Sequence, residues 1–245
     1  MARTALGAQL TRLHTKQQLA LRAKVTTEVM RLYALWNLKD KDSYTRFEHA
    51  MVTLAQLRAI ESATIAANYY EMFRAADAPG LASRIASRVV LAAPPPVAQI
   101  RASVSATARA GVFRALRAGK PFEVAMQNGM VEVSGSVSRL ALQGGRDTIQ
   151  QEVARDATAL GWARVASASA CAFCAMLASR GPVYKEESVD FEAHDHCTCG
   201  AEPVYQGSQW PGQARQYQEL WQSSSPPGQA TTLNDFRRAL NKSTT

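Results

Sequence analysis

The chain has 245 residues and a formal net charge of +8; hydrophobic residues make up 47% of it and aromatic residues only 7%. A chain of this length can bury a sizeable core, in one large domain or two small ones. No run of 18 apolar residues is present, which excludes an ordinary transmembrane helix, and the charged N-terminus does not resemble a secretory signal peptide. We therefore expect an intracellular protein with no membrane partner, whose cysteines are free or bound to metal rather than joined in disulfides.

Apolar residues recur every three or four positions through the first two thirds of the chain, which predicts a mainly α-helical protein. The predicted helices cover residues 8–38, 44–76, 80–92, 97–118, 121–143 and 146–164. Two glycines at 144–145 are predicted to end the fifth helix, and three prolines at 94–96 exclude helix there. The tail is rich in Gln, Ser, Pro and Gly, and it shows two short helical patterns, at 213–222 and 231–241.

These breaks divide the chain into four predicted regions. An N-terminal helical region covers residues 1–93, and a second helical region, 94–164, follows a proline-rich hinge. A segment that holds all four cysteines covers 165–205, and a peripheral helical tail covers 206–245.

The positive charge is unevenly distributed. Residues 1–180 carry a net charge of +11 and residues 181–245 a net charge of −3. Seven basic residues and no acidic residue lie between Asp77 and Glu123: Arg84, Arg88, Arg101, Arg109, Arg114, Arg117 and Lys120. Such a run is typical of a solvated helix face, and it is also able to contact phosphates. No aromatic residues are interleaved at a spacing that would stack bases, so sequence-specific binding of nucleic acid is not expected.

Cysteine and histidine residues are concentrated between residues 171 and 199. Cys171-x2-Cys174 is followed, after nineteen residues, by a second group that holds His194, His196, Cys197 and Cys199. A Cys-x2-Cys pair and a second Cys/His pair about twenty residues later can bind one tetrahedral zinc ion. Between them, Gly181-Pro182 indicates a turn, and "PVYK" (182–185) indicates a short strand. The sequence thus predicts a small zinc-stapled α+β knuckle near the C-terminus.

Six candidate ligands are present for four positions. Cys171 and Cys174 are the first two predicted ligands, and the others come from His194, Cys197 and Cys199. His196 is disfavoured, because the side chains of adjacent residues such as His196 and Cys197 diverge.

Three other interpretations of these residues stay open. The cysteines of "ACAFCAML" are apolar enough in context to be buried as free thiols. A disulfide or a thioredoxin-like redox pair also fits Cys-x2-Cys, although no βαβ pattern surrounds it. A catalytic cysteine with His194 as its base is the third interpretation.

The remaining residues give little support for an enzyme. The sequence contains no His-Glu-x-x-His, and "SGSVSR" (134–139) lacks the spacing of a Gly-x-Ser-x-Gly nucleophile turn. The two other histidines, His14 and His49, are expected on exposed faces of charged helices. A DNA-binding protein that uses zinc as a scaffold is a further possibility, but the arginines define no recognition helix.

"CAFCAML" followed by "HDHCTC" resembles the phage Mu F-like minor head proteins. The shared pattern is Cys-x2-Cys, a following Leu and Gly, and a final His-x2-Cys-x-Cys, matched here by Cys171, Cys174, Leu177, Gly181, His194, Cys197 and Cys199. The resemblance covers about residues 145–205. The wider stretch is similar to head proteins of actinobacteriophages that are commonly called capsid maturation proteases, some of them fused to a Mu F-like domain.

The resemblance implies a role in phage head assembly, in the host cytoplasm and then in the virion head. The partners that it implies are the portal, the scaffold or the major capsid protein, and the basic N-terminal part would suit packaged DNA or an acidic scaffold. It also implies an alternative function, cleavage of scaffold or capsid protein. The residues themselves favour a structural head protein.

Overall fold

The structure is a computed structural model that describes residues 2, 4–78, 88–166, 170–184, 191, 193–208, 212–225 and 228–243. Its helices are α1 (Ala5–Tyr33), α2 (Lys41–Asp77), α3 (Val97–Val104), α4 (Ala110–Arg117), α5 (Phe122–Arg155), α6 (Ala172–Ser179), α7 (Gly212–Ser223) and α8 (Leu233–Ser243). A π-helical turn, Ser105–Arg109, joins α3 to α4, and the strands are β1 (Gly161–Val165), β2 (Pro182–Tyr184) and β3 (Gly200–Val204). The mainly α-helical class is therefore confirmed. Within the described ranges, no helix has both the length and the hydropathy needed to cross a membrane.

The first helix buries one stripe at helical spacing, and the chemistry of that stripe changes along its length. The buried residues are Gly7, Thr11, His14, Gln18, Leu21, Val25, Val29 and Tyr33. The second half of the stripe is apolar and packs into a cluster with α2, α3 and α5. The first half is polar and faces side chains of α2 and β3. The predicted hinge at residues 93–97 stays a prediction; the apolar cluster contains residues from both sides of it.

Helix α5 is the central element, and it passes through the two glycines that were predicted to end it. That prediction is wrong because Gly144 and Gly145 serve helix packing. A Cβ at Gly144 would lie 2.2 Å from the carbonyl oxygen of Ala59 in α2, and one at Gly145 would lie 2.7 Å from Ser62 Oγ. The missing side chains let the two helix backbones approach closely. Each glycine lowers the intrinsic stability of the helix by about 1 kcal/mol relative to alanine, and the packing of α5 against its neighbours offsets that loss.

The predicted helix at 80–92 is wrong where it can be compared. Residues 79–87 lie outside the described residues, and residues 88–96 are not helical. The amides of Val90 and Ala92 donate to Glu152 Oε1 (3.1 Å) and Thr148 Oγ1 (3.0 Å) of α5. Side chains of α5 thus satisfy backbone groups that a helix would have satisfied internally.

The end of the sixth predicted helix, residues 161–164, is a strand. Asp156 ends α5, and its carboxylate accepts hydrogen bonds from the Thr158 amide (2.9 Å) and hydroxyl (2.6 Å). Strand β1 then pairs antiparallel with both β2 and β3, in the order β2-β1-β3. The short strand predicted from "PVYK" is confirmed as β2.

A second apolar cluster lies under the cysteine segment. It joins residues of α2 and α5 to those of the sheet, and it includes Tyr69, Phe73, Trp162 and Tyr205. The cysteines at 174, 197 and 199 belong to this cluster, so the knuckle is packed directly on the helical body. Helices α7 and α8, close to their predicted ranges, pack against α6 around the fully buried Phe236.

Candidate metal centre

Helix α6 places the first two predicted ligands. Cys171 is its N-cap residue, and the Cys174 amide donates a hydrogen bond to Cys171 Sγ (3.5 Å). This capping arrangement turns both sulfur atoms toward the same side of the helix N-terminus. The amide groups and the dipole at that end favour negative charge, which suits thiolates.

A tight turn places the next two candidates. The Cys197 amide donates to the carbonyl of His194 (3.1 Å), and His196 at the corner of the turn has φ of +64°. His194 Nδ1 lies 2.6 Å from the carbonyl oxygen of Asp195. A proton on Nδ1 satisfies that contact and leaves Nε2 as a free acceptor, which is the tautomer that a metal ligand needs. The turn lets both His194 and Cys197 approach the sulfur atom of Cys174.

The five predicted ligands converge on Cys174. His194 Nε2 lies 3.0 Å from Cys171 Sγ and 3.4 Å from Cys174 Sγ, and Cys174 Sγ lies 3.5 Å from Cys197 Sγ. The donors form two groups that share Cys174. The first group also contains Cys171 and His194, and the second also contains Cys197 and Cys199. Within each group, the donor atoms lie within 4.8 Å of one another. A tetrahedral zinc ion separates its sulfur and nitrogen ligands by about 3.5–3.8 Å. The residues therefore fit a metal ion.

The environment favours a thiolate at Cys171 and at Cys197, whereas hydrogen bonds to Cys197 and Cys199, and then burial, raise the pKa of the Cys174 thiol. The donor atoms line a cavity of about 280 Å³ together with Arg22 and Ala170. Hydrogen bonds from Cys174 and Cys199, and then the charge of Arg146, lower the pKa of the Cys197 thiol. Partial burial raises the pKa of Cys171, but the hydrogen bond from the Cys174 amide and the contact with His194 outweigh it and lower that pKa overall. All four cysteines are free thiols, and only Cys171 is exposed.

His196 borders the same cavity but is not one of the donors grouped around Cys174. Its ring fills the notch left by Gly135 of α5: a Cβ at Gly135 would lie 2.4 Å from His196 Nε2. The His196 amide also lies 3.5 Å from the Gly135 carbonyl. This contact fixes the turn against the helical body, and the sequence alone gave no sign of it.

Two arginines of α5 hold the ligand segment, and the sequence analysis missed both. Arg139 Nε donates to Asp195 Oδ1 (2.8 Å), beside His194. Arg146 donates from Nη2 to the Cys197 carbonyl (2.9 Å) and from Nε to the Cys199 carbonyl (3.0 Å). A signal for Arg146 was present, since it interrupts the apolar stripe Leu142, Ile149 and Val153 at helical spacing. A cation in such a stripe indicates a buried partner.

The serines of "SGSVSR" are bound within the helical packing. Ser134 Oγ donates to the Met130 carbonyl (2.7 Å), and Ser136 Oγ lies 2.6 Å from Ser103 Oγ. Neither serine contacts a histidine in these hydrogen bonds, so the structure adds nothing to a serine nucleophile there.

Three of the seven basic residues between Asp77 and Glu123 contact neighbouring side chains. Arg101 pairs with Glu48 and Arg114 with Glu132, each at 3.5 Å. Arg109 lies over the ring of Tyr44, 5.3 Å from its centroid. These contacts favour the interpretation of this stretch as a solvated helix face.

The exposed position predicted for His14 is wrong, whereas His49 is exposed. His14 is 4% exposed and stacks on Tyr69, with ring centroids 4.3 Å apart. Its Nε2 lies 3.3 Å from Gln18 Nε2, and Gln18 in turn bonds Ser62 of α2. Thr11 joins the same polar layer to Tyr69 and to Glu202 of β3. The sequence pattern did not show that β3 would cover this face of α1.

Replacing His14 with glutamine is expected to flatten the dependence of stability on pH. Burial lowers the pKa of the folded His14 imidazole to about 4, whereas the unfolded imidazole binds a proton below about 6.5. At pH 5 the unfolded chain therefore binds one more proton than the folded chain. The titration of His14 should lower the free energy of unfolding by about 2 kcal/mol when the pH falls from 7.5 to 5. Urea unfolding at both values measures this loss. H49Q is the control, which should keep the wild-type difference; the same difference in H14Q would contradict the assignment.

Taken together, the fold and the site define a mainly helical protein with a cysteine and histidine knuckle built onto its body. A family model described as VG15 protein matches residues 6–224, so the chain belongs to the VG15 protein family, a family of phage and viral proteins. Neither the curated proteins nor the solved structures contain a match to this chain. The narrower resemblance to Mu F-like head proteins stays a prediction.

Proposed function

We propose that this protein is a phage head morphogenesis protein, a minor component that acts near the portal and the scaffold during procapsid assembly. Its Cys/His knuckle holds a structural zinc ion. Membership of a phage and viral family supports the setting. The observation that carries the proposal is the convergence of five sulfur and nitrogen donors around Cys174, in the segment that resembles Mu F-like head proteins.

The donor set supports a structural role for the ion. Catalytic zinc usually has three protein ligands, rich in His and carboxylate, and an open fourth position. Here five donors are available for the four positions around a zinc ion. Four of these donors are cysteines, and three of the cysteines are buried. Such a site closes around the ion. Zinc would hold the N-terminus of α6 to the turn at His194. Arg139 and Arg146 hold that turn and the residues after it to α5.

One observation favours the alternative, a capsid maturation protease. Cys171 is exposed at a helix N-terminus, and its sulfur lies 3.0 Å from His194 Nε2. A thiol with a lowered pKa beside an imidazole is the arrangement of a cysteine nucleophile and its base. The same nitrogen also lies 3.4 Å from Cys174 Sγ, and shared contacts of this kind fit a metal ligand better than a dedicated base.

Co-expression with the portal, scaffold and major capsid proteins of the encoding phage separates the two functions. We expect this chain to co-purify with procapsids, to carry about one equivalent of zinc, and to leave the scaffold and capsid proteins at full length. Intact-mass analysis and metal analysis of the isolated particles measure these outcomes. Absence of the chain from procapsids would contradict the head role. Cleavage that disappears in C171S would establish the protease instead.

The proposed partners are head proteins, and exposed basic residues are the proposed contact. Arg117, the last residue of α4, and Lys120, in the turn before α5, are exposed. Reversing both charges should reduce co-purification with procapsids while zinc content is unchanged. If the doubly reversed variant is incorporated like the wild type, the contact lies elsewhere; if it loses only retained DNA, the partner of this surface is packaged DNA.

A further inference from the structure

Arg146 is a buried cation whose hydrogen bonds all go to neutral oxygens. Its side chain is 3% exposed. It donates to the carbonyls of Cys197 and Cys199, and its Nη1 lies 3.4 Å from Gln143 Oε1. It also lies 5.1 Å from the ring centroid of Phe191. None of the ion pairs among the described residues involves it.

A guanidinium in this position needs a negative charge nearby. Removing a charge from water costs several kcal/mol unless another charge compensates it. Burial lowers the pKa of Arg146, and the charges that oppose this effect are those of the cysteines at 197, 199 and 174.

This demand restricts the ligand set of the proposed metal centre. A divalent ion with two thiolates and two neutral ligands is neutral and would leave Arg146 uncompensated. Three thiolates give a net charge of −1, which balances one guanidinium. His194 Nε2 faces two of the sulfur atoms at 3.0 and 3.4 Å and so takes one of the four positions. Three positions then remain for cysteines.

We infer that Arg146 is the counter-cation and the positioning residue of the metal centre, and that this centre uses three thiolates and one imidazole. The inference rests on the proposed zinc site. The four ligands are Cys171, Cys174, His194 and Cys197. Cys197 is the third thiolate because its sulfur lies 3.5 Å from Cys174 Sγ and because the turn places it beside His194. Arg146 acts through the backbone carbonyls on both sides of residue 198, which fixes the direction of the Cys197 side chain.

Zinc affinity of the full-length protein, measured by competition with a chromophoric chelator, tests the role of Arg146. R146Q should bind zinc about 10- to 100-fold more weakly, as substitutions next to metal ligands typically do. R146K keeps the charge and should recover part of this loss. R139Q, which removes a neighbouring contact to the same loop, should change the affinity less than R146Q does. Equal affinity of R146Q and wild type, or equal losses in R146Q and R139Q, would overturn the inference.

Two further measurements keep the inference testable if R146Q folds poorly. The wild-type protein loaded with cobalt(II) should show the sulfur-to-metal absorption of three thiolates, and C199S should leave that spectrum unchanged. A spectrum of two or four thiolates, or a changed spectrum in C199S, would refute the ligand set. In thermal unfolding, R146Q should reduce the increase in stability that zinc gives. If R146Q lowered the thermal stability equally with and without zinc, Arg146 would have a purely structural role. Wild-type protein that binds no zinc would instead refute the proposed site itself.

Discussion

Serine in place of Cys174 is expected to abolish zinc binding and to loosen α6, α7 and α8 together. Cys174 belongs to both groups of candidate ligands, so no set of the remaining donors replaces it. Helix α6 has only 8 residues, and a helix of that length is not stable in isolation. Helices α7 and α8 pack on α6 around Phe236 and should follow it. Hydrogen exchange detected by mass spectrometry should show the free energy of opening in α6 fall by at least about 3 kcal/mol.

A matched cysteine variant separates the loss of metal from the loss of a buried thiol. Cys199 is buried to the same degree as Cys174, and C199S is expected to keep one equivalent of zinc and slow exchange in α6. Treatment of the wild type with a chelator should reproduce the exchange pattern of C174S. If C174S still bound one equivalent of zinc, or if chelation left the exchange of α6–α8 unchanged, the knuckle would be held by packing alone.

Helical periodicity predicted the body of this protein because most of its helices carry long apolar stripes. The errors arose where a tertiary contact changed the meaning of a residue. Gly144 and Gly145 are helix breakers by propensity, yet in α5 they form the contact surface for α2. Residues 88–92 have helical composition, but side chains of α5 bond their amides in an irregular path. A single sequence contains no information on such contacts between distant segments.

The spacing of the cysteines and histidines predicted which side chains would meet but not what holds them. The Cys-x2-Cys pair and the Cys/His group that follows it are local features of the sequence, so sequence reasoning found them. The supports are nonlocal: Arg139 and Arg146 lie on α5, and Gly135 receives the ring of His196. His14 was misplaced for the same reason, since Tyr69 of α2 and the start of β3 cover its side of α1.

These supports indicate that the knuckle and the helical body form one structural unit. Cys174, Cys197 and Cys199 share an apolar cluster with Tyr69 and Ile149 of α2 and α5. The polar layer around Gln18 and Ser62 lies next to Gly145, one residue before Arg146. A change in the spacing of α2 and α5 would therefore displace the arginine that binds the ligand segment. The crossing of these two helices is thus where the helical body would control the geometry of the proposed metal centre.

Alanine in place of Gly144 is expected to destabilise the whole protein by about 2–3 kcal/mol, the usual cost of forcing extra atoms into a packed core. The new Cβ would lie 2.2 Å from the Ala59 carbonyl oxygen and 2.9 Å from its carbon, which are backbone atoms that cannot turn away. This cost should exceed the gain of about 1 kcal/mol that alanine brings to a helix. G111A is the matched control, because a Cβ there meets only the flexible carboxylate of Glu132; it should be neutral or stabilising in urea unfolding. The zinc affinity of G144A should also fall, because the crossing of α2 and α5 positions Arg146. A G144A variant as stable as G111A would show that α2 and α5 do not approach as closely as described.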